Sequence, residues 1–305
     1  MTIIETSKLT KTYGNYTAVD HVDLSVNSGE IFGFLGKNGA GKSTFINMMT
    51  GIIRPTSGTI KLFGNEAHAA HQRKLGVLPD YSTLYDDMTA LQHLQFFGKI
   101  LGVKKSKEEY ASILERVALQ DAIDTKAKKF SFGMKKKLGI AQALVNDPKL
   151  LILDEPTSGI DANAVLTIHD LIREEAARGT TVFLTSHNLD EVEKLCDQIA
   201  IMNKGTIQAK GNMASLRHNY QQDTSITIKH SEINEQDRKA IEHILQPIAN
   251  KIEWSEKSTS ILLDTEAHIP EVHRTFATKN VDIYRFDVFE ASLEDIFKDF
   301  GREAS

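Results

Sequence analysis

One cysteine, Cys196, in 305 residues excludes an internal disulfide framework. It suits a reducing compartment, where a buried thiol acts as a small apolar side chain. No run of 18 apolar residues occurs, so the chain is not expected to cross a membrane alone. The start, Met1-Thr2-Ile3-Ile4-Glu5, has neither the basic nor the apolar region of a leader peptide. Positive charge is not in excess: 36 Lys and Arg against 41 Asp and Glu leave a formal net charge of −5. That balance gives no global attraction to nucleic acid, and no nucleic-acid partner is expected. What remains, 41% hydrophobic and 25% charged residues over a chain of this length, is the composition of a globular protein with room for two domains.

The most informative stretch is Gly36-Lys37-Asn38-Gly39-Ala40-Gly41-Lys42-Ser43-Thr44, which fits G-x-x-x-x-G-K-[ST], the pattern of a phosphate-binding loop. Its context agrees. The apolar run Ile31 to Leu35 precedes it, with the length of a buried strand, and Phe45, Ile46, Met48 and Met49 follow at helical spacing. Glycines at 36, 39 and 41 let successive N–H groups face a phosphate, and the helix N-terminus adds a favourable dipole. Lys42 brings a compact positive charge, and the Ser43 hydroxyl is placed to ligate Mg²⁺ between phosphates.

Residues 1 to 30 read as two or three strands broken at Gly14-Asn15 and Asn27-Ser28-Gly29. Tyr13, at the first break, is either an edge-strand aromatic or a ring that stacks on a base. Strands are expected at Thr59 to Phe63 and Leu75 to Leu78. Residues 86 to 146 then carry helical periodicity, an insertion of about 60 residues.

Leu150-Leu151-Ile152-Leu153-Asp154-Glu155 is an apolar run ending in two carboxylates, suited to a central parallel strand. Asp154 can hold Mg²⁺ opposite Ser43, and Glu155 can polarise an attacking water. Thr181 to Thr185 reads as another strand that brings Ser186-His187 to the same edge. His187 is a candidate for the γ-phosphate; without context, such a histidine is a cap or a surface residue. Asn188 to Glu191 opens a helix, and Gln198 to Ala209 forms a hairpin around Asn203-Lys204-Gly205.

In that order these motifs resemble the nucleotide-binding subunit of an ATP-binding cassette (ABC) transporter, over residues 1 to about 215. The resemblance implies an α/β P-loop NTPase cassette with a β subdomain and a helical insertion. It makes Tyr13 the adenine-stacking aromatic, Gly36 to Thr44 the Walker A loop, and Asp154 and Glu155 the Walker B aspartate and general base. Ser158-Gly159-Ile160-Asp161 is similar to the D-loop, with Asp161 a nucleotide contact, and His187 to the switch histidine. Phe130-Ser131-Phe132-Gly133-Met134 stands at the signature position, from which Ser131 and the Gly133 N–H would cap the γ-phosphate bound by a second subunit. The implied ligands are ATP and Mg²⁺, with Lys42, Glu155 and His187 catalytic. The implied partners are a second nucleotide-binding subunit and integral membrane permease subunits, at the cytoplasmic face of the cell membrane.

Two positions depart from the family's pattern. Asp80 stands where a glutamine is expected and could reach Mg²⁺ differently from an amide, and Phe132 replaces a small residue in the signature. Met134, in place of glutamine, is similar to exporters of the bacitracin and drug-resistance type. The charge run Lys135-Lys136-Lys137 reads as a solvated helix face. Beyond a polar linker at 218 to 223, residues 216 to 305 alternate βαββαβ, a small α+β ferredoxin-like domain with Trp254 in its core and a last helix capped by Ser292. The leading expectation is an ATP-hydrolysing exporter subunit. Its rivals are a non-transport cassette ATPase, an ATP-holding regulatory module, and an importer ATPase.

Overall fold

The computed structural model describes residues 1–65, 71–79, 84–220, 223–279, 281–289 and 291–302. The chain divides into two compact units, one covering Met1–Met213 and the other Ala214–Asp299.

Alternating apolar and polar residues make two 12-residue strands, β1 (Thr2–Tyr13) and β2 (Tyr16–Asn27), joined by a tight turn at Gly14-Asn15. The all-apolar β3 (Ile31–Leu35) is buried throughout, and α1 (Lys42–Met49) follows the glycine loop. β4 (Ser57–Leu62) returns antiparallel to β1, giving a three-stranded sheet in the order β2-β1-β4. After β5 (Leu75–Leu78) come the helices α2 (Ala90–Leu101), α3 (Lys107–Arg116) and α4 (Phe132–Ala143), where an all-helical insertion is expected from periodicity. α2 and α3 start on capping boxes, Thr89 with Gln92 and Ser106 with Glu109.

The remaining elements of this unit are β6 (Leu150–Asp154), α5 (Ala162–Ala177), β7 (Thr181–Thr185), α6 (Leu189–Leu195), β8 (Gln198–Asn203) and β9 (Thr206–Gly211). The main sheet has the order β5-β6-β7-β3-β8-β9, parallel except for the β8–β9 hairpin. Strands β3, β6 and β7 are buried at every residue, as expected for a sheet covered on both faces. Four aromatic rings lock α1 to this sheet. Phe32 stacks on Phe183 at 5.7 Å, and Phe34 meets Phe45 at 4.8 Å and Phe183 at 5.4 Å. Truncating Phe183 to alanine in such a cluster costs about 3–5 kcal/mol. Since β6, β7 and β3 are adjacent and parallel, their carboxyl ends open on one edge.

The second unit begins with α7 (Met213–Tyr220) and continues β10 (Thr224–His230), α8 (Glu235–Leu245), β11 (Ala249–Ser255), β12 (Ser258–Leu263), α9 (Ile269–Thr278) and β13 (Ile283–Phe289), followed by α10 (Leu293–Arg302). Its sheet is antiparallel in the order β11-β12-β10-β13, with the ferredoxin-like connection. One face buries Ile226, Ile228, Ile261 and Leu263 against Ile241, Leu245, Val272 and Phe276 of the two helices. Trp254 is half-buried against this core, stacked on Phe276 with centroids 6.1 Å apart and under the Arg238 guanidinium. Ser292 accepts from Asp295 N and Asp295 accepts from Ser292 N, so the expected cap is a full capping box.

Candidate nucleotide site

Three strand tips build the site. β3 delivers Gly36 to Gly41, β6 delivers Asp154 and Glu155, and β7 delivers Thr185 to His187. At the first tip, α2, α3, α4, α5 and α6 each begin on a capping side chain, whereas α1 begins on Gly41 with none. A helix that leaves its first N–H groups uncapped, with the dipole's positive end there, is a ready anion site. Gly41 is forced by space and backbone alike. Its φ is +109°, and an added Cβ would stand 2.2 Å from the Ala18 carbonyl oxygen. At Gly36 a Cβ would meet the Met202 carbonyl oxygen at 2.5 Å. The loop is thus clasped by β2 and by the β8–β9 hairpin, where Gly205 N also donates to Ala40 O at 3.0 Å. Lys42 is buried and donates to Gly36 O at 2.6 Å.

At the second tip, Glu155 is held in an unusual backbone state, with φ +51°. Its N–H donates to Thr185 Oγ1 at 3.1 Å, and Thr185 Oγ1 in turn donates to Asp154 Oδ1 at 2.5 Å. Its carbonyl accepts from Lys136 Nζ at 2.9 Å. The side chain points to His187, whose Nδ1–H donates to Glu155 Oε2 at 2.7 Å. The carboxylate can only accept, so the geometry fixes the histidine tautomer. A non-glycine residue in the left-handed region costs about 1 kcal/mol or more, and such strain persists only where surrounding contacts impose it.

Lys136 corrects the sequence reading of residues 135–137 as a solvated face. It is 4% exposed, and Lys135 and Lys137 are half-buried. Spacing along α4 turns Lys136 inward, where its ammonium donates to the Glu155 carbonyl. This contact and the Thr185 bridge were not singled out from sequence. Their signals, a lysine two positions from buried Leu138 and a threonine closing a strand, are too common to read alone.

The signature residues lie at the start of α4. Ser131 caps the helix by accepting from Met134 N at 3.2 Å. Phe132 is 58% exposed, with its ring against Gly159 of the adjoining loop. Asp161 caps α5 through Ala164 N at 3.0 Å, and Gly133 faces that same turn. The loop between β6 and α5 is further anchored where Thr157 Oγ1 donates to Glu191 Oε2 at 2.6 Å. Burial alone would raise the Glu191 carboxyl, but His169 and Thr157 outweigh it and hold it below its ordinary range.

Tyr13 ends β1 half-exposed, with Lys11 Nζ 5.1 Å from its ring centroid. Across the turn, Tyr16, not singled out from sequence, places its hydroxyl 3.4 Å from Gly39 O. Asp80 lies outside the described residues.

The uncapped helix behind a glycine cradle, flanked by a carboxylate–imidazole pair, suits binding and hydrolysis of a nucleoside triphosphate. Comparison with known proteins decides the family. The ABC transporter family model matches residues 19–158. The bacitracin transport ATP-binding protein BcrA of Bacillus licheniformis is 34% identical over 97% of this chain and 96% of its own. The chain belongs to the ABC transporter family. Within it, this chain is an ATP-hydrolysing transporter subunit, similar to exporter ATP-binding proteins of the bacitracin type. The Nod factor export ATP-binding protein I of Mesorhizobium japonicum is 35% identical over 96% of this chain and 85% of its own. A solved ATP-binding subunit of an ABC transporter superposes with a TM-score of 0.66 at 29% identity, covering 72% of this chain and 93% of that one. No described helix of this ABC subunit is long and apolar enough to cross a membrane.

Proposed function

We propose that this chain drives export by closing with a second ATP-binding subunit around two ATP molecules, and that closure and reopening move separate membrane permease subunits. The observation that supports this most is the 2.7 Å contact between Glu155 and His187 on the sheet edge that also carries the glycine loop. Phosphoryl transfer to water needs positioning and charge stabilisation more than covalent chemistry. In our reading Gly36, Lys37, Asn38, Gly39, Ala40, Gly41, Lys42, Ser43 and Thr44 bind the phosphates, and Tyr13 stacks on the base. Glu155 accepts the proton of the attacking water, and His187 orients that carboxylate and meets the γ-phosphate. Ser131, Gly133 and Asp161 complete the partner's site.

Mg²⁺ fits the donors present. Ser43 stands in the first turn of α1, and Asp154 is buried at the β6 tip. Mg²⁺ takes only one or two protein ligands beside phosphates, so no carboxylate cluster is required. When bound it would offset the charge on the phosphates, and Asp80 is a further candidate from sequence.

The cassette corresponds to residues 1–215 and the accessory domain to 216–305. Through its permease the subunit sits peripherally on the cytoplasmic face of the membrane. Binding energy that differs between open and closed pairs is what can shift the permease between its states. Steady-state and single-turnover hydrolysis by purified protein, with and without Glu155→Gln, tests the reading. Equal rates would reduce the chain to an ATP-holding module.

A further inference from the structure

Two side-chain hydrogen bonds join the loop after β6 to the segment that opens α6. Glu155 meets His187 at 2.7 Å, and further along the loop Thr157 Oγ1 donates to Glu191 Oε2 at 2.6 Å. Their settings differ. The His187 side chain is 68% exposed, whereas those of Glu191 and His169 are 14% and 10% exposed. Water weakens an exposed pair, while a hydrogen bond accepted by a sheltered carboxylate is among the stronger kind. Glu191 lies in the first turn of α6, where its N–H donates to the Asn188 side chain at 3.4 Å. Asn188 N in turn donates to Oγ of the buried Ser186 at 3.0 Å, so both chain neighbours of His187 are tied down. Behind Glu191, Nε2 of His169 on α5 lies 3.7 Å from the same carboxylate oxygen. One carboxylate thus touches the loop that carries Glu155, the helix α5, and the helix that follows His187.

We propose that Glu191 is a positioning residue for hydrolysis: through Thr157 it holds the loop bearing Glu155 against the start of α6, and so sets the contact between Glu155 and His187. This role rests on Glu155 being the general base, as proposed above. The path between the two links is short and stiff. Only Pro156 separates Glu155 from Thr157; it is buried, and its ring fixes one backbone dihedral, so a shift at Thr157 passes to Glu155. A carboxylate can only accept, so the Thr157 hydroxyl is committed as donor to Glu191. Lys136 and Thr185 hold Glu155 from its other sides through its carbonyl and its N–H, which leaves Thr157 as the tie toward α6. A misplacement of about 1 Å can slow a chemical step about a hundredfold, and losing one tie of several is expected to cost part of that. A brace that merely joined α6 to α5 would add stability without singling out the chemical step.

The test uses the full chain and reads ATP hydrolysis. Thr157→Val exchanges the donating hydroxyl for a methyl group of similar shape, and should lower kcat about tenfold with the KM for ATP within about twofold. Thr157→Ser restores the donor and should return kcat to within about threefold of the unaltered chain. The deciding measurement is the cycle with His187→Ala. In that background Thr157→Val should lower kcat by no more than about twofold further, because the contact it sets is already gone. A full loss in both backgrounds, a raised KM with kcat unchanged, or a lowered thermal midpoint with kcat unchanged overturns the proposal. Glu191→Gln keeps the size of the side chain and weakens the same bond from the other side; it should show the same non-additivity with a loss of about threefold, and it decides the matter if Thr157→Val does not fold. Turnover by the unaltered chain and its collapse in Glu155→Gln test the general base separately. An unaffected Thr157→Val beside an inactive Glu155→Gln removes the role of Glu191 and leaves that of Glu155 standing.

Discussion

Lys136 Nζ reaches across from α4 to donate to the carbonyl oxygen of Glu155 at 2.9 Å. With the bond from Glu155 N to Thr185 Oγ1, it pins both sides of a residue held at φ +51°. The backbone state sets the direction of the carboxylate, so Lys136 acts as a positioning residue from the helix that also carries Ser131. Lys136→Met keeps the aliphatic stem but removes a charge-assisted bond of the kind that contributes about 1.5–3 kcal/mol. The expected result is a kcat lower by about tenfold or more with little change in the KM for ATP, and partial recovery in Lys136→Arg. A rise in KM alone would assign the lysine to nucleotide binding.

Glu155→Gln keeps the size of the side chain and an oxygen able to accept from His187 Nδ1, yet removes the basicity. Turnover should fall by about 10²- to 10⁴-fold, the usual reach of general-base catalysis, while ATP binding persists and a closed pair accumulates. Gel filtration with ATP reads the pair, and phosphate release reads the rate. His187→Ala should lower kcat in the same direction by loosening the carboxylate that it touches.

Gly41→Ala tests the cradle. The added methyl group collides with the Ala18 carbonyl at 2.2 Å and demands a left-handed backbone at φ +109°. The neighbour is main chain, so the loop must shift and the first N–H groups of α1 turn away from a bound phosphate. ATP affinity, measured by calorimetry, is expected to fall by more than about tenfold. Gly39→Ala, with open space around the added methyl but φ +82°, should lose less.

The glycine loop, the strand that ends in two acids, and the ferredoxin-like alternation after residue 216 were legible because local pattern carries them. Lys42, Glu155 and His187 could be named from sequence since each closes a strand or opens a helix. Their relations could not. That His187 touches Glu155, and that Thr185 ties Asp154 to Glu155, depends on the pairing of β6 with β7, a contact about 30 residues apart in sequence. Lys136 was misread for the same reason: three successive lysines look solvated until tertiary packing turns one of them inward.

The helical insertion exposes an aromatic group that its own core does not cover. Tyr85 and Ile100 are 49% and 63% exposed, and Tyr85 packs edge-on against Phe96 at 5.3 Å. Exposed apolar side chains on a helical insertion are candidates for an interaction site, and a contact with the permease is the expectation to test. Ile100→Lys with Tyr85→Ser should leave the ATPase rate of the isolated chain within about twofold and abolish copurification of integral membrane proteins, since a buried charge at an interface costs several kcal/mol. Undiminished copurification would move the contact elsewhere.

His93 makes this same region sensitive to acid. Its ring is fully buried, Nδ1 lies 2.9 Å from Thr89 O, and Nε2 lies 2.9 Å from Tyr85 N. Only the neutral tautomer with hydrogen on Nδ1 satisfies both partners, since an N–H must be received by Nε2. Burial lowers the His93 pKa from its ordinary value of 6.5, although the bond to the Thr89 carbonyl works the other way. Between the depressed native value and 6.5 the unfolded chain binds the proton more readily than the folded one, so stability falls as pH falls through that window. Above about 6.5 both states are neutral and the contribution is fully present. The thermal midpoint should therefore drop on acidification from neutral pH, and drop less in His93→Gln, which cannot take up a proton. Equal slopes for the two proteins would show that other groups carry the acid response.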